Sequence, residues 1–378
     1  VAASIDSPRP APTVQLLTAD GRFQPSDSAG EYLPYLDRLS EDDYLRFYRD
    51  MFVMRTFDVE AANLQRQGQL ALWVPSHGQE AAQVGSAYAT RPQDHVFPSY
   101  REHVVGMIRG LDLNNILRML RGVTLGGWDP TTNGNFHLYS LVLASQALHA
   151  TGYAMGIQFD GTVGTGDPEK DEAVIVYFGD GASSQGDVSE ALVFAASYQT
   201  PQVFFLQNNQ YAISVPVVRQ SRTPLYLRGS GFGIPGTQID GNDVLASFAV
   251  TSKWMDDARA GHGPALIEAL TYRIGAHTTA DDPTKYRLDE ETASWIARDP
   301  ISRYRTYLEG KGVDQSFFAS VDEEAADFAE DARKRALAIV PPTLEAIFDN
   351  LYAEPHALIA EQKAWAKSYE SSFGEGQA

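Results

Sequence analysis

One acid and one amide, each placed at the end of an apolar run, carry the first chemical signal in this chain. Val174-Ile175-Val176-Tyr177-Phe178 runs into Gly179-Asp180-Gly181, and Val203-Phe204-Phe205-Leu206 runs through Gln207 into Asn208-Asn209. Both runs have the composition of strands buried in a parallel sheet, and open α/β folds bind ligands at the carboxyl ends of such strands. The stretch from Asp187 to Ser197 reads as the helix between them, so one βαβ unit brings a carboxylate and an amide oxygen together from about thirty residues apart. Hard oxygen donors of this kind suit octahedral Mg²⁺, which keeps its other places for phosphate oxygens and water. The Gly-rich turn opening the helix adds main-chain N–H groups for the same phosphate. Gly-Asp-Gly alone describes many turns; followed by Asn-Asn at the next strand end it is far more specific.

Two further stretches hold groups that could act on an anion. In Phe97-Pro98-Ser99-Tyr100-Arg101-Glu102-His103 a guanidinium, suited to bidentate phosphate contacts, follows a phenol. On residue types alone the pair reads as an ordinary surface pair. Tyr272-Arg273-Ile274-Gly275-Ala276-His277-Thr278-Thr279-Ala280-Asp281-Asp282, closing with Tyr286-Arg287, sets one histidine in a polar, charge-rich loop. Taken alone, that histidine also reads as a surface residue.

The chain is long enough to supply a framework. Its 378 residues, 43% hydrophobic, can build one large α/β domain around a substantial core. No run of about 18 apolar residues occurs, so no transmembrane helix is expected. The start, Val1-Ala2-Ala3-Ser4, lacks a charged-then-apolar leader, and the expectation is a cytoplasmic protein. The absence of cysteine excludes disulfides, thiolate metal sites and thiol catalysis. A formal charge of -19 argues against a nucleic-acid binder, because phosphate backbones are held by basic surface.

Residues 1–38, rich in Pro, Ser and Ala, read as a flexible or extended N-terminal arm. Ser40-Glu41-Asp42-Asp43 then caps a helix running from Tyr44 to about Gln67. Leu70 to Pro75 is an apolar lead-in, either a core strand or the border of a pocket, and Ser76 to Ala81 opens a helix to about Tyr88. Gly122 to Gly134 is a loop, and Ser140 to Gln146 runs into a helix whose Ala147, Ala150, Gly152 and Gly156 allow close packing. Phe159 to Asp171 is a surface excursion. Asp243 is expected to cap a helix toward Ala260, and Pro264 to Thr271 to be the last strand. From about Glu290 the chain is helical and charged, broken by Pro341-Pro342 before a final helix near 344–351. The domain organisation expected is an arm (1–38), an α/β domain with a helical C-terminal part (39–352) and a tail (353–378).

The segment holding Asp180 and Asn209 resembles the thiamine diphosphate fingerprint, and Asn208-Asn209-Gln210-Tyr211-Ala212-Ile213-Ser214 resembles the alpha subunit of the heterotetrameric 2-oxo acid dehydrogenases, bacterial branched-chain type. Gly78-Gln79-Glu80-Ala81 and the His277 motif are similar to the same family, and the resemblance covers roughly residues 40 to 350. It implies a thiamine diphosphate-binding α/β fold: a mostly parallel central sheet flanked by helices, a helical C-terminal region and an extended N-terminal arm. It further implies Mg²⁺ held by Asp180, Asn209 and the Tyr211 main-chain oxygen. The cofactor would meet Tyr100 and Arg101 at its diphosphate, the main chain of Gly179, Gly181 and Ala182, and Leu141 and Leu143. His277 becomes the active-site histidine, neutral or protonated near pH 7, close to the diphosphate and needed when the acyl group passes to lipoamide. Ser140, Ser145 and Gln146 correspond to a monovalent-cation site of some relatives, although Leu141-Val142 stands where some of these carry Ser-Pro. Gln207 stands where some branched-chain relatives carry Arg. Thr278 occupies a position phosphorylated in some animal relatives.

The glutamate that activates the aminopyrimidine belongs, in this family, to a beta subunit. The resemblance therefore implies a tetramer of two alpha and two beta chains, with a lipoyl-bearing acyltransferase downstream. The substrate expected is a branched-chain 2-oxo acid of the 3-methyl-2-oxobutanoate type, with pyruvate or acetoin as the alternative. Two readings of other classes are a non-catalytic thiamine diphosphate-binding or regulatory subunit, and a Mg²⁺-dependent phosphohydrolase built on Asp180. The second leaves the His277 motif unexplained.

Overall fold

The apolar runs become strands of one parallel sheet in a computed structural model that describes residues 12–124, 127–349 and 351–373. The strands are β1 (His95–Phe97), β2 (Val174–Gly179), β3 (Gln202–Asn208), β4 (Tyr211–Ala212), β5 (Val215–Pro216), β6 (Gly236–Asp240) and β7 (Ala265–Leu270). Five of them form the main sheet in the order β1-β2-β3-β7-β6, every pairing parallel, while β4 and β5 make a separate antiparallel ribbon.

Parallel strands need crossovers, and helices provide them. Before β2 come α1 (Glu41–Arg66), α2 (Glu80–Tyr88), α3 (His103–Ile108), α4 (Asn114–Leu120) and α5 (Ser145–Asp160). Next are α6 (Gly186–Tyr198), two short turns α7 (Val217–Gln220) and α8 (Leu227–Ser230), and α9 (Val244–Arg259). The C-terminal part adds α10 (Asp289–Ile296), α11 (Pro300–Gly310), α12 (Gln315–Leu337), α13 (Ala346–Asp349) and α14 (Ala357–Ser371).

Both faces of the sheet are covered, which is why its strands read as unbroken apolar runs. Side chains alternate along β2: Ile175 and Tyr177 join a core with residues of α1, α2, α9, α11 and α12, whereas Val174, Val176 and Phe178 join a second core with α5 and α6. Ser40 and Asp43 form the expected reciprocal cap on α1, with Asp43 N donating to Ser40 Oγ at 3.2 Å and Ser40 N to Asp43 Oδ2 at 2.9 Å. Such a cap is worth about 1 kcal/mol.

Asp243 does more than its expected capping of α9. Its Oδ1 accepts from Leu245 N and Ala246 N, at 3.1 Å each, and its Oδ2 accepts from Leu16 N at 2.7 Å and Leu17 N at 2.6 Å. Val14 also bridges to Ile239, so from residue 12 the arm is draped along the edge of β6 and Leu16 and Leu17 are fully buried. Covering an edge strand in this way removes a site for unwanted pairing. Residues 1–11 lie outside the described residues.

Of the two readings of Leu70 to Pro75, the core strand is not formed: residues 72–76 run as irregular chain with Trp73 buried, and Leu72 and Val74 border the cavity described below. The tail contains a helix, α14, built from Ala, Leu, Glu, Gln and Lys, all good helix formers, and carrying no buried residue. No helix among the described residues is long and apolar enough to cross a membrane.

Candidate active site

Three neighbouring strands end together and set the site. β2 stops at Gly179, β3 at Asn208 and β7 at Leu270, with Gly179 in register with Gln207 and Asn208 with Leu270. Asp180, Asn209 and Arg273 therefore emerge from adjacent parallel strands at one edge of the sheet. Asp180 and Asn209 are buried. Asn209 Oδ1 lies 3.2 Å from Asp180 Oδ1 and 3.0 Å from the Tyr211 main-chain oxygen, and turning that amide over would let its nitrogen donate to both. With Oδ1 turned this way, Asn209 Nδ2 donates to Gln79 Oε1 at 3.2 Å, and the Asp180 carboxylate and the Tyr211 carbonyl, which also accepts from Arg273, both lie within 3.2 Å of the Asn209 amide. That spacing is what oxygens around a small divalent cation require. Burial pushes the Asp180 carboxyl above its ordinary value, against the Gln220 hydrogen bond and the nearby Arg273, so the buried carboxylate calls for added positive charge. Among the described residues no group of three or more His, Asp or Glu gathers as a metal site, so the arrangement of one carboxylate, one amide and one carbonyl has no acidic competitor.

Beside these oxygens lie two buried guanidinium groups. Arg101 donates to the Pro75 carbonyl, to the His277 carbonyl at 3.2 Å and to His277 Nδ1 at 3.2 Å. Arg273 donates to the Tyr211 carbonyl at 3.0 Å, the Ile213 carbonyl at 2.7 Å and Tyr286 Oη at 3.0 Å. Neither has a carboxylate at ion-pair distance among the described residues. A guanidinium can only donate, so His277 Nδ1 must accept and its proton sits on Nε2. Burial, then Arg101 and Arg273, push His277 down to about 3. With no anion beside it, the imidazole is therefore neutral at pH 7. The His277 main-chain N–H donates to Asp281 Oδ2 at 2.7 Å, and Arg287 donates to the carbonyls of Arg273, Ile274 and Gly275, so the charged neighbours order this loop.

These groups border a cavity of about 380 Å³. Its wall includes Tyr100, Arg101, Ser140, Leu141, Leu143, Gln146, Gly179, Asp180, Gly181, Ala182, Asn209, Tyr211, His277 and Thr278, and an apolar side made by Leu72, Val74 and Ile213 with the two leucines. Two glycines make the close approaches that shape it. At Gly78 (φ +96°) a β-carbon would lie 2.2 Å from the Tyr272 carbonyl oxygen, and at Gly181 one would lie 2.7 Å from Ala212 Cβ. The first lets the Ser76–Gln79 turn press on the strand end, and the second lets the β4–β5 ribbon lie on the Gly-Asp-Gly turn.

The dehydrogenase E1 component family matches residues 48–344. The chain belongs to that family. It is 44% identical over 318 residues to the alpha subunit of 3-methyl-2-oxobutanoate dehydrogenase from Mycobacterium tuberculosis, covering 84% of each chain. It is 36% identical over 361 residues to the alpha subunit of the pyruvate dehydrogenase E1 component from Staphylococcus epidermidis, covering 95% of this chain and 93% of the relative. The corresponding subunit from Acholeplasma laidlawii is 37% identical over 336 residues, covering 88% and 95%.

Within this E1 chain, the site residues expected from sequence line the one cavity, with Ser145 just behind it, its Oγ 2.5 Å from Ser140 Oγ. His77 is not among the lining residues; it is half-buried, and burial pushes its imidazole down. Gln207, also on the cavity wall, donates to Glu102 Oε1 at 2.6 Å, while Gln83 donates to its Oε1 at 3.1 Å. Glu102 also accepts from Ser99 N at 2.7 Å, and burial pushes its carboxyl up. Gln220 escaped the sequence reading altogether: it belongs to no motif, yet its Nε2 donates to Asp180 Oδ2 at 2.7 Å. Nothing in its neighbourhood, Val217-Val218-Arg219-Gln220, signals that contact.

Proposed function

We propose that this E1 chain is the alpha subunit of a thiamine diphosphate-dependent 2-oxo acid dehydrogenase and contributes the cation-and-diphosphate half of a shared active site. The observation that carries this is charge. Two buried guanidiniums without carboxylate partners among the described residues lie beside a buried carboxylate, amide and carbonyl that converge within 3.2 Å, a setting for a polyanion chelated to a divalent cation. Asp180, Asn209 and the Tyr211 carbonyl would hold Mg²⁺. Arg101, with Tyr100 beside it, would meet the diphosphate, and the Gly179 to Ala182 turn would meet it from the other side. His277, with Nδ1 turned to Arg101, would offer its Nε2–H as a hydrogen-bond donor toward the diphosphate. Leu141 and Leu143 would pack on the cofactor's apolar rings. When bound, thiamine diphosphate supplies a carbon nucleophile for the 2-oxo group and an electron sink for the departing carbon dioxide.

Ser140 Oγ and Ser145 Oγ both donate to the Val142 carbonyl, at 3.1 and 2.9 Å, and Gln146 Oε1 is buried without a partner among the described residues. These oxygens suit a monovalent cation even with Leu141-Val142 in place of Ser-Pro. The apolar cavity wall and the Mycobacterium relative both support a branched-chain 2-oxo acid, 3-methyl-2-oxobutanoate, as substrate; pyruvate is the second reading, supported by the two pyruvate dehydrogenase relatives. Leu141, Val142, Ile213, Val215 and Val218 leave apolar surface exposed around the cavity, where a beta subunit would cover it and bring the missing glutamate. The complex would be two alpha and two beta chains, acting in the cytoplasm on a lipoyl-bearing acyltransferase.

The test is coexpression with the cognate beta chain, followed by decarboxylation assays of 3-methyl-2-oxobutanoate and pyruvate with and without thiamine diphosphate and Mg²⁺. Cofactor-dependent turnover by the complex, and none by either chain alone, is expected. Full activity from the isolated alpha chain in gel filtration would overturn the shared site, and no turnover of any 2-oxo acid would favour a binding subunit.

A further inference from the structure

We propose that Asp58 is a positioning residue for the cavity, acting from α1 through the Trp73–Ser76 segment, which carries part of the apolar wall and the carbonyl that aims Arg101. This part, which rests on the cofactor reading above, falls to an acid that no motif in the chain announces.

Leu72 to Ser76 runs along the site without joining the sheet, so no strand ladder fixes it. Residues from three other parts of the chain fix it instead. Asp58, inside α1, accepts from Trp73 Nε1 at 3.0 Å through Oδ1, and from Ser76 N and Ser76 Oγ, at 2.7 Å each, through Oδ2. His103, at the start of α3, donates to the Val74 carbonyl and stacks on the Trp73 indole with ring centroids 4.5 Å apart. Thr279, two residues past His277, meets the Trp73 main chain in both directions, its Oγ1 accepting from Trp73 N at 3.2 Å and its N–H donating to the Trp73 carbonyl at 3.1 Å.

The segment alternates in what it shows the cavity and what it turns inward. Leu72 and Val74 line the cavity, whereas Trp73 is buried against His103 and Phe57. Arg101 takes its aim from the Pro75 carbonyl. Asp58 grips residues 73 and 76, on either side of Val74 and Pro75, without being among the lining residues itself. As a plain strut it is a destabilising choice. Burial pushes its carboxyl up to about 7, against the bonds from Ser76 and Trp73, and its three bonds all come from neutral donors. Its advantage is geometric, because an amide of the same shape could accept on one side only. Asp50, about two turns earlier on α1, is buried to the same degree but accepts from Tyr88 Oη at 2.7 Å and Arg49 Nη1 at 2.5 Å, neither of which borders the cavity.

The experiment uses the assembled alpha–beta complex carrying wild-type, Asp58→Asn, Ser76→Ala or, as the control, Asp50→Asn alpha chains. The readings are the thiamine diphosphate dissociation constant at saturating Mg²⁺, KM and kcat for the 2-oxo acid that the complex turns over, and the thermal unfolding midpoint. Asp58→Asn keeps the shape but sets an amide N–H against one of the donor sides. It should weaken thiamine diphosphate roughly tenfold and raise KM severalfold, with kcat at saturation within about twofold of wild type, the pattern of lost binding rather than lost chemistry. Ser76→Ala, which removes the hydroxyl bond alone, should move both constants the same way by about threefold. Asp50→Asn should lower the midpoint and leave both constants at wild-type values. Lowered midpoints with wild-type constants in Asp58→Asn and Ser76→Ala would overturn the inference and leave the acid a strut of the core. Equal weakening in Asp50→Asn would overturn it as well, since any loss of stability in α1 would then suffice. Should Asp58→Asn fail to assemble, the Ser76→Ala constants decide alone. A wild-type complex that binds no thiamine diphosphate at all would instead overturn the cofactor reading, and this inference with it.

Discussion

Arginines drawn into the interior of this protein are used in two different ways. Arg259 grips Asp94 through Nε at 3.0 Å and through Nη2, and reaches Asp256 at 2.8 Å; Arg303 holds Asp240 at 2.8 Å; Arg55 spans Glu80 at 2.7 Å and Asp299 at 2.6 Å. These three stitch helices and the N-terminal arm to the sheet. Arg101 and Arg273, equally buried, donate only to carbonyls, a phenol and an imidazole. A charge taken from water without a counter-ion costs several kcal/mol unless something else compensates it. The first group has its counter-ions built in; the second keeps its charge available for a ligand.

The largest effects should separate the two groups. Arg259→Met leaves Asp94 buried and unpaired, and should lose about 3–5 kcal/mol of unfolding free energy in a denaturant titration. Arg101→Met removes a charge that has no carboxylate at ion-pair distance among the described residues. Its stability without cofactor should hold or rise, while thiamine diphosphate affinity falls on the order of 100-fold, as for loss of a charge-paired phosphate contact. Equal loss of stability in both variants would erase the distinction. Asp180→Asn extends the contrast to an acid. It should fold at least as well as wild type and bind Mg²⁺ roughly 100-fold more weakly, measured by calorimetry.

Histidines divide along the same line. His103 is enclosed, its Nε2 donating to the Val74 carbonyl at 2.7 Å and its Nδ1 accepting from Tyr139 Oη at 2.8 Å, and burial pushes it down to about 4. His277, pushed down to about 3, has its second nitrogen free of protein partners among the described residues. Both folded values lie below the ordinary 6.5, so between them and 6.5 the unfolded chain binds more protons. The stability they contribute is present above pH 6.5 and is lost as pH falls toward 4 and 3. An anion bound beside His277 raises its folded value and should flatten only its share of the slope. Unfolding free energies from pH 7 to pH 4, with and without thiamine diphosphate and Mg²⁺, should therefore show a cofactor-sensitive part that His277→Gln removes and a cofactor-insensitive part that His103→Phe reduces, His95 and His137, also pushed down to about 4, supplying more of it.

The paired set was largely invisible in the sequence, whereas much of the ligand set could be read from it. Asp180 and Asn209 announce themselves because strand ends are marked by apolar runs stopping at Gly or Asn, and a local pattern suffices. Arg101 and His277 needed the family resemblance, since a lone Arg or His in a polar loop is indistinguishable from surface. Arg259 with Asp94, and Arg303 with Asp240, join residues with no shared motif and depend on the packing of whole helices. Gln220 was missed for the same reason: its partner lies forty residues back in the chain, across a ribbon whose shape no periodicity predicts. The arm stays open between flexible and extended in the sequence because its anchor, Asp243, shows there only as a helix cap.

A last test asks whether the ligand-facing edge depends on close contact as well as on charge. Gly181 sits at φ −61° and ψ −44°, an ordinary right-handed conformation, so alanine there brings no backbone strain. What it brings is a methyl 2.7 Å from Ala212 Cβ, too close for two carbons, on the turn that presents Asp180. The ribbon must lift, and with it the Tyr211 carbonyl and the Gln220 tie. Overpacking of this kind costs about 1–3 kcal/mol, and the lower end is expected here because the ribbon is partly exposed and can yield. Gly181→Ala should thus reduce cofactor affinity more than it reduces stability. Ala212→Gly removes the opposing methyl, so the Gly181→Ala/Ala212→Gly pair should recover affinity beyond the sum of the single changes, a coupling that a double-mutant cycle measures directly. If the pair is merely additive, the ribbon is not held by this contact, and the ligand-facing edge differs from the helix-stitching side in charge alone.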